Sequence, residues 1–207
     1  MRDLLVVATF LTLLPLSFVS ALVGVLEWVW FALLQPSDVL YGFGAAIPYN
    51  KIIAIVTLAV MLFTREKKSF YVDTTTVLLL LFAAIVTISY MTALAYGPDV
   101  DELYAKIIKE IVLYCVITFV IATRHRLHLL LISVILGLCF VGNKEGFIAI
   151  LAGGGHHIIG TSSVGDNNSL ATALLMIIPL MYFVIQYSAV RIIRSGLWVS
   201  VALNVIA

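Results

Sequence analysis

Residues 74–95 read TTTVLLLLFAAIVTISYMTALA, an unbroken stretch without a charged side chain. At about 1.5 Å per residue, an α-helix of that length reaches roughly 33 Å, enough to cross a hydrocarbon core of about 30 Å. The stretch shows no period-2 alternation, so it does not read as a strand of a membrane barrel. The rest of the chain fits the same reading. Of its 207 residues 63% are hydrophobic and 11% are charged, with a mean hydropathy of +1.15. Soluble domains carry about 25% charged residues. A soluble fold of this size has nowhere to hide so much apolar surface. These figures exclude a soluble enzyme, a nucleic-acid-binding module and a disordered chain. They predict an all-α, polytopic transmembrane bundle.

Seven hydrophobic segments are expected: 4–26, 47–63, 74–95, 103–122, 127–141, 170–187 and 197 onward. The first allows two readings. Either one span ends at Glu27 in an aromatic belt of Trp28, Trp30 and Phe31, or Pro15 and Ser17 mark a hairpin of two short helices. Lys106, Lys109 and Glu110 make the start of the fourth segment amphipathic, and the fifth is short for a span. Only 13 residues follow Arg194, so the last segment is expected to be a truncated span and the whole chain one membrane domain, the N-terminal part of a longer protein. Cys115 and Cys139 lie inside apolar runs and read as small buried hydrophobes. No cleavable leader pattern follows Arg2.

The charges alternate along the chain. Arg65, Lys67 and Lys68, then Arg124 and Arg126, then Arg191 and Arg194 make three basic connections. Between them, 35–46, 96–102 and 142–169 are poor in Lys and Arg. The positive-inside rule predicts the basic set on the cytoplasmic side. The other set then faces outward, which in a bacterial inner membrane is the periplasm. His125 and His128 belong with the basic turn at 124–126. A single first span puts Met1 inside, and a hairpin puts it outside.

Gly142–Ser169 is expected to be a glycine-rich outer loop, with Phe147–Ala152 as a re-entrant or interfacial piece. It holds seven of the chain's 13 glycines, and loops of such length are often functional. Asp166, Asn167 and Asn168 precede the apolar segment at 170 and suit an N-cap. The same helix start suits a phosphate, or a sugar hydroxyl received by Asp166. His156 and His157 are candidates for substrate contact or proton transfer. Adjacent residues diverge, however, and no ligand set accompanies them, so no metal is expected. Lys144 is a candidate phosphate contact or a solvated loop lysine, paired in sequence with Glu145. Glu27 is an ionisable residue in an apolar run, hence a functional candidate, although an interfacial position beside Trp28 and Trp30 also accounts for it. Asp73 and Tyr71 flank a span start. No nucleotide-binding, hydrolase-elbow, zinc-protease or redox-dithiol motif occurs.

Several stretches carry a resemblance. They are Met1-Arg2-Asp3-Leu4-Leu5, Trp28-Val29-Trp30-Phe31, Tyr41-Gly42-Phe43 with Pro48, Lys144-Glu145-Gly146-Phe147 with Gly153–Gly155 and Gly160, Asp166-Asn167-Asn168, and the helix with Pro179-Leu180. Together they resemble the N-terminal domain of the exosortase A-associated O-glycosylation ligase family, itself similar to the O-antigen ligases and polymerases. The family commonly has Lys-Gly-Gly where this chain has Lys144-Glu145-Gly146. The resemblance implies transfer of a glycan from an undecaprenyl-diphosphate donor to an acceptor at the periplasmic face, without a cofactor. It implies partners among membrane lipid and the exosortase or exopolysaccharide machinery, and none among nucleic acids. The catalytic residues of such relatives lie in a C-terminal half, so the resemblance assigns none here. It leaves Asp166, Asn167, Asn168, Lys144, His156 and His157 as candidate donor contacts. The competing readings are a transporter or flippase of a lipid-linked intermediate, and a non-catalytic membrane scaffold.

Overall fold

A computed structural model describes residues 2–36, 40, 42–63, 73–93, 97–153, 167–188 and 190–206, with the backbone alone at Arg2, Asn167, Asn168 and Ser169. The described residues are all-helical, as the composition predicts. They form α1 (Arg2–Ser17), α2 (Ala21–Leu34), a 3-10 turn (Phe43–Ala46), α3 (Tyr49–Phe63), α4 (Thr74–Met91), α5 (Pro98–Val120), α6 (Arg124–Leu151), α7 (Asn167–Tyr187) and α8 (Arg191–Ile206). By length and composition three helices suffice to cross a membrane: α4, α6, and α7 over Leu170–Tyr187. The chain divides into two compact units, residues 1–64 with 125–207, and residues 65–124.

In the first unit, the first hydrophobic segment is two helices, which settles the choice between one span and a hairpin. The break falls at Phe18–Ser20. The Val19 and Ser20 amides both donate to the Leu16 carbonyl, and Ser20 turns to an extended φ of −138° before α2 begins. Pro15 lies inside α1 and not at the turn. Of the aromatic residues after Glu27, Trp28 and Phe31 lie inside the bundle and Trp30 is half-buried. Phe31 and Trp28 are 0% and 7% exposed. Phe10, Phe31 and Tyr49 gather in one cluster, the Phe10 ring edge-on to both others at 5.8 and 5.1 Å.

The expected loop over 142–169 begins later than its glycines suggest. Residues 142–151 are the last turns of α6, a helix of 28 residues, and the chain leaves it through Gly153 at a φ of +65°. Phe147–Leu151 is therefore ordinary helix and not a re-entrant piece. The glycines do not break α6 because α8 covers them. A Cβ on Gly142 would collide with the Asn204 side chain, and one on Gly146 with the Leu203 carbonyl. Two glycines four residues apart lie on one helix face, and their missing side chains let the second backbone approach closely. On α7, Leu170, Leu174, Ile177, Met181 and Val184 form a buried stripe at helical spacing, packed on Ile135, Leu138 and Cys139 of α6.

The second unit is the α4–α5 pair. Asp73 caps α4 by accepting from the Thr76 amide at 2.9 Å and the Thr76 hydroxyl at 2.7 Å. Pro98, with Asp99 and Asp101 in the first turn, starts α5 earlier than the apolar run at 103 implies. Tyr90 and Tyr104 stack face to face at 4.2 Å, and the Tyr90 hydroxyl donates to Asp101 at 2.7 Å. Outward, α4 presents Leu78, Leu81, Phe82, Ile85 and Ile88. Such a continuous apolar face suits hydrocarbon and not water.

Candidate functional site

Within the first unit a cavity of about 550 Å³ opens between α1, α2, α6 and α8. That volume lies within the range of small-molecule sites. Its walls are apolar: Leu5 and Val6 from α1, Trp30, Phe31 and Leu34 from α2, Leu136 and Phe140 from α6, and Leu197 from α8. Its side-chain hydrogen-bonding groups come from Thr9, Asn143, Ser200 and the Trp30 indole. Thr9 is satisfied locally, since its hydroxyl donates to the Leu5 carbonyl at 2.8 Å. The polar margin of the cavity is therefore the α6–α8 side. There the Asn143 amide donates to Ser200 Oγ at 3.0 Å, and the Asn204 amide donates to Asn143 Oδ1 at 3.1 Å and to the Ser200 carbonyl at 2.7 Å. Asn204 is buried, and its Oδ1 has no hydrogen-bond partner. The two glycines bring the helices close enough for these bonds to form.

A second polar cluster lies where α1, α2 and α3 meet. Ser17 Oγ donates to Glu27 Oε2 at 2.5 Å, and Glu27 Oε1 is buried without a partner. Gly24, three residues before Glu27, admits Thr57 of α3: a Cβ there would stand 2.5 Å from Thr57 Oγ1, which is also unpartnered. Glu27 is 3% exposed and belongs to the bundle interior, not to a solvated margin beside Trp28 and Trp30.

The residues expected to touch a donor are distributed as follows. Lys144 sits on α6 next to Asn143 but does not line the cavity. Its Nζ pairs with Glu145 Oε1 at 2.8 Å, with the lysine side chain 45% exposed and the glutamate 10%. It is thus a helical, ion-paired residue and not a loop lysine. Asn167 and Asn168 open α7, three residues before the apolar segment begins. Asp166, His156 and His157 lie outside the described residues. The structure brings none of the six onto the cavity among those it describes. Sequence reasoning missed Asn143, Ser200 and Asn204. The available signal was a run of amide and hydroxyl side chains in segments otherwise apolar, where polar groups are costly without partners. Among the described residues, no group of three His, Cys, Asp or Glu stands together to hold a metal ion.

No curated protein and no solved structure matches the chain. A family match covers residues 1–189, and the chain belongs to that family, the family of unknown function DUF5935.

Proposed function

We propose that the chain is the membrane portion of a transferase that moves a glycan from an undecaprenyl-diphosphate donor to an acceptor at the outer face of the bacterial inner membrane. The observation that carries this reading is the cavity of about 550 Å³, apolar along its walls and edged by Asn143 and Ser200. A lipid-linked substrate needs such a combination. Its hydrocarbon part wants an apolar wall, and its headgroup wants hydrogen-bonding groups at one end. Lys144, next in sequence to Asn143, supplies a cation to a diphosphate once it is released from Glu145. The resemblance of the sequence to glycan ligases supports the same class, with the exosortase and exopolysaccharide machinery as partners.

In this reading α4, α6 and α7, the helices long and apolar enough, cross the membrane. The connections with Arg65, Lys67 and Lys68, with Arg124 and Arg126, and with Arg191 and Arg194 are cytoplasmic. The hairpin α1–α2 then begins outside, and the connection that carries His156, His157 and Asp166 is periplasmic. Deleting the gene in its host tests the reading. Lipid-linked glycan should accumulate while the mature polymer or glycoprotein disappears, and unchanged glycan in the deletion strain would refute it.

A second reading rests on Glu27, an ionisable side chain buried among apolar helices, as transporters of lipid-linked intermediates carry. Movement of a labelled lipid donor across proteoliposomes holding the protein, with no transfer to acceptor, would favour it over the transferase.

A further inference from the structure

Where α1, α2 and α3 pack together, Ser17, Glu27 and Thr57 are 0%, 3% and 0% exposed. A single hydrogen bond serves the three side chains, from Ser17 Oγ to Glu27 Oε2 at 2.5 Å, and two oxygens, Glu27 Oε1 and Thr57 Oγ1, have no partner. Buried carboxylates are ordinarily paired with a cation or several donors. Here no ion pair from the surrounding helices reaches Glu27 among the described residues, and the Tyr49 hydroxyl of α3 is itself buried without a hydrogen-bond partner. Asp3 of α1 accepts from the Gly44 amide at 3.4 Å. Tyr49 of α3 stacks on Phe31, and Lys51 is exposed. The register of α6 is fixed by Ser133 Oγ donating to the Leu26 carbonyl at 2.7 Å. Its basic side chains, Arg124, His125, Arg126 and His128, stand in its first turns, five or more residues from Ser133, and Lys144 pairs with Glu145 beyond it. No cation stands within ion-pair distance of Glu27 among the described residues.

We propose that Glu27 is a proton-binding site: its carboxyl is neutral while α1, α2 and α3 are packed, with Oε2 accepting from Ser17 Oγ, and its proton is released to water when the α1–α2 hairpin parts from α3. The step breaks the carboxyl O–H bond, leaves both electrons on the carboxylate and passes the proton to water. A neutral acid accounts for there being a single hydrogen bond, since an uncharged carboxyl tolerates missing partners far better than a carboxylate does. Gly24, three residues before Glu27, lets Thr57 of α3 pack closely against α2. The inference stands apart from the transferase reading, since it requires no lipid substrate.

The test is the infrared difference between wild type and Glu27→Gln in the full chain reconstituted in phosphatidylcholine bilayers. An ordinary glutamate titrates at about 4.3 and is almost wholly ionised at neutral pH. The expected result is a protonated-carboxyl carbonyl band at neutral pH, absent from the variant, giving way to carboxylate bands as the pH rises. Trp28 emission, with Trp30 and Trp198 replaced by Phe, should shift to the red over the same pH range in wild type and stay fixed in Glu27→Gln. Carboxylate bands alone at neutral pH would overturn the proposal, as would the same emission shift in Glu27→Gln. If that variant does not accumulate, Glu27→Asp provides the subtraction by displacing the band.

Discussion

Asp73 shows what one side chain settles at a helix end. It flanks the span start in sequence, and its carboxylate takes the Thr76 amide and hydroxyl together. These bonds hold the carboxyl below the usual aspartate range. Because the folded value is the lower one, the cap contributes above the unfolded aspartate value of about 3.9 and is lost as pH falls through the folded value. Amide exchange at Thr76 should therefore stay slow at neutral pH and accelerate in strong acid. Asp73→Ala should raise it at every pH, and an exchange rate unchanged by the substitution would exclude the cap. The cap was legible in sequence as an Asp ahead of a Thr-rich helix start. The state of Glu27 was not. Composition and local neighbours place it beside two tryptophans, whereas its burial depends on Ser17 and Thr57, brought in by two other helices.

Among the elements, α6 departs most from its sequence. Gly142 and Gly146 carry a strong loop signal when read along the chain, because glycine lowers helix propensity by about 1 kcal/mol against alanine. That deficit is offset once another backbone lies against them, and the crossing with α8 could not be seen in a one-dimensional pattern. The apolar segment over 170–187 was visible in composition, whereas the face that α7 buries, with Leu170, Leu174, Ile177 and Met181, depends on its packing against α6. Gly146→Leu places a side chain against the Leu203 backbone, which cannot rotate away. The expected cost is about 1–3 kcal/mol, as for overpacked cores. It should appear as a lower midpoint in detergent unfolding, and should exceed that of the control Gly196→Leu, at a position with open space around it. Equal midpoints would mean that α6 and α8 do not cross there. Asn204→Leu removes the polar contact, and about 0.6 kcal/mol is the typical contribution of a hydrogen bond between membrane helices.

For the whole molecule, class and charge pattern were legible because both depend on composition and order alone. The cavity was not, since its walls come from four helices distant in sequence. One of its lining residues carries a chemical handle. Cys139 reaches the cavity wall while its thiol faces Met181 Sδ at 3.8 Å, and Cys115, the only other thiol of the chain, lies on α5 in the other unit. In a Cys115→Ser background the protein thus has a built-in occupancy sensor. A small apolar mercurial should react slowly with Cys139 in the empty protein and more slowly still once a polyprenyl diphosphate fills the space. The ratio of the two rates measures the affinity directly, without knowledge of the glycan or its acceptor. An unchanged rate at saturating lipid would place the substrate elsewhere on the molecule.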